Sequence, residues 1–363
     1  MRYSLAVPTV GRQERRAVLG ALRLAEISRG RATRKFERAF ARVMGGGYAV
    51  SVVTGTAALE VAIRASGLEQ QEVVTSAMSC QATANALLAA RCAIRFADHD
   101  RSTWQVSAAA VADAITRKTR AIVIPHLYGN AADLTALEKI ARVHRLPLIE
   151  DASQSFGARW LSRLVGTFGV ASTFSFYANK LITTGEGGML WTQNATVAQR
   201  ATILRNHGQD SPFHHVAYGL NWKMPNLLAA LGEAQLRRIK KLVAARVARM
   251  KLLRDLLSHV PELVVPVLPA QLEPAPFCFP VVCPRHFAPA MRHRLAKQGI
   301  ETRPLFPVQF DQPYWKRYAP QPSGRFEVSR FLAQHGLYLP VSPHLTKRDL
   351  KQVAESVTRA VQE

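Results

Sequence analysis

Lys180 lies in the run STFSFYANKLITTGEGGML (172–190), delivered by a β-rich stretch and followed by a turn-rich GEGG. Burial behind apolar and aromatic residues disfavours an ammonium, and a neutral lysine amine is the nucleophile that forms a Schiff base. Surface lysines are far commoner, so Lys180 alone decides nothing. Ser175, earlier in the same run, offers a hydroxyl to a phosphate. In LIEDASQSFGA (148–158) an apolar strand ends in Glu150 and Asp151, at the strand end where α/β sheets place their ligands. A carboxylate emerging from a buried strand needs a partner. A protonated pyridine nitrogen is one, a structural arginine or a helix cap another, and spacing does not separate them. In VVTGTAALEVAIRA (52–65) a Thr-Gly-Thr turn runs straight into a helix, whose free backbone N–H groups suit a phosphate. Glycine and threonine also open many helices that bind nothing. The stretch RNHGQDSPFHHVAYGLNWKM (205–224) gathers Asn221, Lys223 and the histidines His207, His214 and His215. Those histidines have no ligand spacing with a carboxylate, which argues against a metal.

Taken together, and in this order on one sheet, these features supply a phosphate cradle, an acid for a pyridinium and a lysine. That is the set pyridoxal 5'-phosphate (PLP) requires of a protein. The elements that must position them follow from hydrophobic periodicity. VVTS (73–76), AIVIP (121–125) and LPLIE (146–150) read as short buried strands. Between them, AALEVAIRASG (57–67), QATANALLAA (81–90) and ADLTALEKIARVH (132–144) have helical spacing, with Asp133 in the first turn of the last. Strands alternating with helices predict a mostly parallel α/β sheet covered on both faces. Leu236 to Val260 reads as one long helix with an apolar side and basic, solvated other faces. Beyond it, proline-rich 261–284 suggests a linker and an edge strand, followed by helices near 286–298 and 346–362. The expected division is a large domain over 1–250, with an N-terminal helical segment, and a small C-terminal α+β domain over 251–363.

The totals limit the alternatives. The chain has 363 residues, 48% of them hydrophobic, so it can bury a large core and is not a disordered chain. No apolar run reaches about 18 residues, so no membrane span is expected. The first residues make a poor secretory signal, and Cys80, Cys92, Cys278 and Cys283 form no CxxC pair; a cytoplasmic protein with reduced thiols is expected. Forty-eight Lys and Arg against 25 Asp and Glu give +23. The cations are scattered rather than gathered in a stripe, so the field suits an anionic substrate better than a specific nucleic acid.

The stretches SVVTGTAALEVA (51–62), HLYGNAADLTALEKIA (126–141), IEDASQSFGA (149–158), FSFYANKLITTGEGGM (174–189), ILRNHG (203–208) and AALGEAQL (229–236) resemble the DegT/DnrJ/EryC1/StrS family of PLP-dependent sugar aminotransferases across nearly the whole chain. Within that family, 174–189 is most similar to perosamine synthases, which aminate a GDP-linked 4-keto-6-deoxysugar. The resemblance implies PLP-dependent transferase fold type I, aspartate aminotransferase-like, with a mixed, mostly parallel sheet. It also implies a homodimer with shared active sites, glutamate as donor and a nucleotide-linked keto-sugar as acceptor. By position, Lys180 would carry the cofactor and move protons, Asp151 would pair with the pyridine nitrogen, and Gln154 would sit by the ring. Thr56 and Ala57 would give backbone donors and Ser175 a hydroxyl to the phosphate; Asn221 would reach the phosphate in the neighbouring subunit.

The sequence departs from the family at several positions. Cys80 stands where many members stack an aromatic ring on PLP, Lys223 where arginine is usual, and Gln309 where histidine is common in the sugar-binding region. Gln70, Gln71 and Glu72 replace a usual Gly-Asp-Glu. These leave room for a catalytically altered member that only binds or regulates. A PLP-dependent sugar dehydratase is the other alternative, but that branch typically carries histidine in place of the lysine.

Overall fold

The computed structural model describes residues 1–25 and 27–362. A seven-stranded sheet runs in the order Tyr48–Val52, Gly188–Thr192, Ala171–Ser175, Leu148–Asp151, Thr119–Pro125, Glu72–Ser76, Ala93–Ala97. The strands from Ala171–Ser175 to Ala93–Ala97 are parallel, and Gly188–Thr192 is antiparallel to both its neighbours. This is the expected mixed, mostly parallel α/β sheet. Every residue of Leu148–Asp151 and of Gly188–Thr192 is buried. Burial on both faces explains why the strands read as continuous apolar runs rather than alternating ones.

One face packs Leu190 and Val50 against Val61, Ile63 and Ala201 of the helices Gly55–Ala65 and Ala195–Leu204. The other packs Met189, Trp191 and Phe174 against Phe36 and Phe40 of the helix Arg31–Val43. The first helix of the sheet begins two residues before the expected 57, because Thr54 Oγ1 accepts the Ala57 amide at 3.1 Å. Such a cap stabilises a helix by about 1 kcal/mol. Asp133 likewise caps the helix Leu134–His144 rather than occupying its first turn.

The C-terminal part holds an antiparallel sheet in the order Phe279–Val282, Gly336–Leu339, Arg303–Pro304. It packs with the helices Ala288–Lys297 and Lys347–Gln362 and with Met250, Leu253 and Leu257. The proline-rich segment is more than a linker. Leu272–Glu273 pairs with Arg159–Trp160, and Ala275 N donates to Gly129 O at 2.9 Å.

The long basic helix is Ile239–Leu257, one helix within the expected 236–260, and a break at Arg237–Arg238 parts it from the preceding helix Asn226–Leu236. At the break, Gln235 and Arg238 turn to Glu14, donating to its Oε1 at 2.9 and 2.7 Å. The polar side of the long helix differs from expectation, since it is not uniformly solvated. Arg246 is buried, and Arg249 and Arg254 are half-buried, donating to backbone carbonyls.

Candidate active site

A cavity of about 320 Å³ opens at the C-terminal end of the parallel strands. Thr56, Cys80, Asp151, Gln154, Ser175 and Lys180 all line it. A groove of about 1140 Å³ along the helix Ile239–Leu257 is larger, but none of those residues borders it. Size therefore does not locate the chemistry.

The two carboxylates at the end of Leu148–Asp151 point to opposite sides, as alternation along a strand requires. Glu150 is fully buried and accepts from the amides of Gly166, Phe168 and Gly169 at 2.7, 2.6 and 2.8 Å. His126 Nδ1 accepts the Ala132 amide at 3.3 Å, which leaves the proton on Nε2 to donate to Glu150 Oε2 at 3.1 Å. Glu150 is thus consumed by the fold. Asp151 faces the cavity, where Thr83 Oγ1 donates to its Oδ2 at 3.1 Å and the Ser153 amide to its Oδ1 at 3.2 Å. A carboxylate has more acceptor sites than these donors use.

Lys180 follows the strand Ala171–Ser175 in a turn closed by its own amide on Tyr177 O at 2.9 Å. Its amine stands 4.6 Å from the centre of the Phe277 ring. Burial lowers its pKa, and the guanidinium of Arg246 adds to that, while Cys80, Asp151 and Cys278 pull the other way. A lysine so placed is closer to the neutral nucleophile than one in water.

The helix Gly55–Ala65 points its N-terminus into the same cavity through Thr54, Gly55 and Thr56. Thr54 Oγ1 takes the Ala57 amide, so the expectation for Ala57 needs correcting. Among the described residues the uncapped N–H groups are those of Gly55 and Thr56. A Cβ at Gly55 would lie 2.7 Å from Ser175 Cβ, so only glycine lets the Ser175 hydroxyl come up beside this helix end. Backbone donors, a helix dipole and a hydroxyl form an anion cradle.

Gln154 Oε1 accepts the Tyr128 amide at 3.0 Å, leaving its NH₂ group on the cavity side. Cys80 is exposed at the start of the helix Gln81–Ala89 and borders the cavity. Asn221 is exposed and does not line it. Lys223 donates to Asn206 Oδ1 at 2.7 Å, also away from the cavity. Gln309 is not at the cavity either. Fully buried, it accepts the Ala84 amide at 2.8 Å and donates to Ser76 O at 2.6 Å, tying the helix Gln81–Ala89 to the strand Glu72–Ser76. At the position where histidine is common in the family, Gln309 is thus a structural tie. The histidines 207, 214 and 215 lie in or beside an exposed hairpin, and no metal-binding cluster occurs among the described residues.

Sequence reasoning missed Thr83, His126, Phe277, Arg303 and Tyr338, which also line the cavity. His126 opens HLYG directly after an apolar strand, a position that could have signalled it. The last three come from the C-terminal part, and no local pattern announces them.

The residues present fit PLP: an anion cradle at one end, a carboxylate with spare acceptor capacity, and an amine with no hydrogen-bond partner among the described residues. The DegT/DnrJ/EryC1/StrS aminotransferase family model matches residues 8–358. A GDP-perosamine synthase of Escherichia coli O157:H7 is 33% identical over 337 residues, 91% of this chain and 90% of that protein. The crystal structure of 3-amino-5-hydroxybenzoic acid (AHBA) synthase superposes with a TM-score of 0.94 at 27% identity, covering 98% of each chain. An E. coli GDP-4-keto-6-deoxy-D-mannose-3-dehydratase with bound hydrated PLP matches with a TM-score of 0.92, over 98% of this chain and 99% of that one; at 23% identity it shows the fold alone.

Proposed function

The chain belongs to the DegT/DnrJ/EryC1/StrS aminotransferase family, and from that premise we propose that it moves an amino group from glutamate to the keto carbon of a nucleotide-linked 4-keto-6-deoxyhexose, using PLP. The observation that carries this reading is the meeting of the Lys180 amine, the Asp151 carboxylate and the N-terminus of Gly55–Ala65 in one cavity. Gly55, Thr56 and Ser175 would hold the cofactor phosphate. Asp151 would keep a proton at the pyridine nitrogen, and Gln154 would sit by the ring. PLP, when bound, supplies an electron sink for the carbon that exchanges its amine. Lys180 would move a proton between the reacting substrate carbon and the cofactor in each half of the reaction. Arg303, a cation bordering the cavity beside Tyr338, suits the carboxylate of the donor.

In this reading Asn221 serves the active site of a second copy. It sits beside an exposed hairpin with Phe213 at 92% and Tyr218 at 73% exposure, apolar surface suited to a homodimer contact. No described helix is long and apolar enough to cross a membrane, and the reading places the protein in the cytoplasm.

The test is an absorbance spectrum of the protein with PLP, wild type beside Lys180→Ala, before and after glutamate. A visible band that depends on Lys180 and bleaches with glutamate is expected, followed by conversion of a GDP-linked 4-keto-6-deoxyhexose to its amino sugar. A protein that takes up no PLP, or a band indifferent to Lys180, overturns the reading.

A further inference from the structure

Arg246 lies in the helix Ile239–Leu257 and is only 4% exposed. Burial lowers its pKa to about 10, so it is still charged near neutrality. Its acceptors are all uncharged: Phe277 O at 2.9 Å, Pro276 O at 3.4 Å and Lys180 O at 3.4 Å. Its Nε is buried with no partner. A buried cation without a carboxylate costs stability, since its desolvation is not repaid by an opposite charge. The arrangement is therefore poorly explained as packing. What distinguishes it is the identity of the three carbonyls. One belongs to the residue that brings the amine. The others belong to the segment that carries the Phe277 ring, over which that amine stands at 4.6 Å.

The segment is held from its other side as well. Gly129 has φ +87°, and a Cβ there would fall 2.2 Å from Ala275 O. Phe277 N donates to Tyr128 O at 3.4 Å. Arg246 is the group that joins this segment to the lysine turn.

We propose that Arg246 is a positioning residue for Lys180: its guanidinium fork locks the lysine turn to Pro276–Phe277 and so sets where, and beside which charge, the amine meets the cavity. The proposal rests on the reading of Lys180 as the residue that carries the cofactor. The charged and titratable groups around the amine come from four elements. Cys80 precedes the helix Gln81–Ala89, Asp151 ends its strand, Cys278 precedes the strand Phe279–Val282, and Arg246 is on the long helix. Asp151 favours the protonated amine, as would either thiol if ionised; burial and Arg246 disfavour it.

The test compares PLP-loaded wild type with Arg246→Met, Arg246→Lys and Arg249→Met. Arg249 is one turn along, and it too donates to carbonyls, at Leu345, Ala245 and Pro343. The readouts are the pH midpoint of the visible band, the separate values of kcat and KM, and the melting temperature. Removing a like charge favours protonation, so Arg246→Met should raise the midpoint by about one unit or more. Displacing the amine should lower kcat about a hundredfold. Arg246→Lys keeps the charge and loses the fork; its midpoint should stay near wild type while kcat still falls. Arg249→Met should lower the melting temperature and leave the midpoint unchanged.

A wild-type midpoint in Arg246→Met overturns the proposal. If that variant does not fold, wild-type kcat in Arg246→Lys overturns it equally. A wild type with no Lys180-dependent band instead defeats the functional reading beneath it.

Discussion

Glu150 and Asp151 are adjacent, of like charge and at the end of one strand, yet the fold uses them for different purposes. Glu150 receives three backbone amides and the His126 ring in a dry interior, so its removal unsatisfies several buried donors at once. Glu150→Gln puts an amide NH₂ against at least one of those donors, and a loss of about 1–3 kcal/mol is expected in a denaturant melt. Asp151→Asn keeps the shape and the contact with Thr83 but removes the charge on the cavity. It should melt like wild type and lose about a hundredfold or more in turnover. If instead Asp151→Asn is the unstable variant and Glu150→Gln the inactive one, their roles are reversed. Spacing alone could not assign these roles, because both residues satisfy the same local rule; the family resemblance singled out Asp151. What separates them is the return of 166–169 over one face of the strand, a tertiary event. Lys180 and Asp151 were legible as a pair because their neighbours in sequence are also their neighbours in space. Gln309 was not, since its partners Ser76 and Ala84 lie on elements more than two hundred residues away.

His99 joins two elements at some distance from the cavity. Its Nε2 meets Ser76 Oγ at 3.1 Å on the strand Glu72–Ser76, and its Nδ1 meets Ser329 Oγ at 2.9 Å on the helix Glu327–His335. Burial pushes its pKa down from 6.5 to about 4, with Asp98 and Asp100 only partly opposing. In the folded state the ring is neutral; once unfolded it takes a proton below about 6.5. The unfolded chain therefore binds more protons between those values, and this contribution to stability is complete above 6.5 and lost as pH falls towards 4. The melting temperature should fall across that window, and the fall should be shallower in His99→Asn. Equal slopes in the two proteins would show that His99 is not the group responsible. Helices and strands of the parallel sheet were predictable within two or three residues, since period and breakers are local. The tie of Gln235 and Arg238 at the start of the long helix was not, because their partner is Glu14, on a helix near the N-terminus. The burial of Arg246 escaped for a related reason: a basic residue on a polar face is ordinarily solvated, and only the passage of 276–278 across that face makes it otherwise.

Across the whole molecule, the excess of 23 positive charges lies on many elements, and part of it is tied up internally. Arg205 pairs with Glu37, Arg238 with Glu14, and Arg249 with carbonyls. What remains is a diffuse field rather than a groove-reading stripe. A diffuse field draws in any anion, and the proposed acceptor carries a diphosphate and the donor two carboxylates. Long-range attraction raises the rate of encounter and leaves the chemical step untouched. It is also screened: the Debye length shrinks from about 30 Å at 0.01 M salt to about 8 Å at 0.15 M. Over that range kcat/KM for the nucleotide sugar should fall several-fold while kcat stays level. Retention on DNA should disappear over the same interval without preference for sequence, because counterion release alone would hold it. A kcat/KM indifferent to salt would mean that the charge serves something other than substrate capture. Tight sequence-dependent retention on DNA at 0.15 M would point to a nucleic-acid role that the placement of the cations does not suggest.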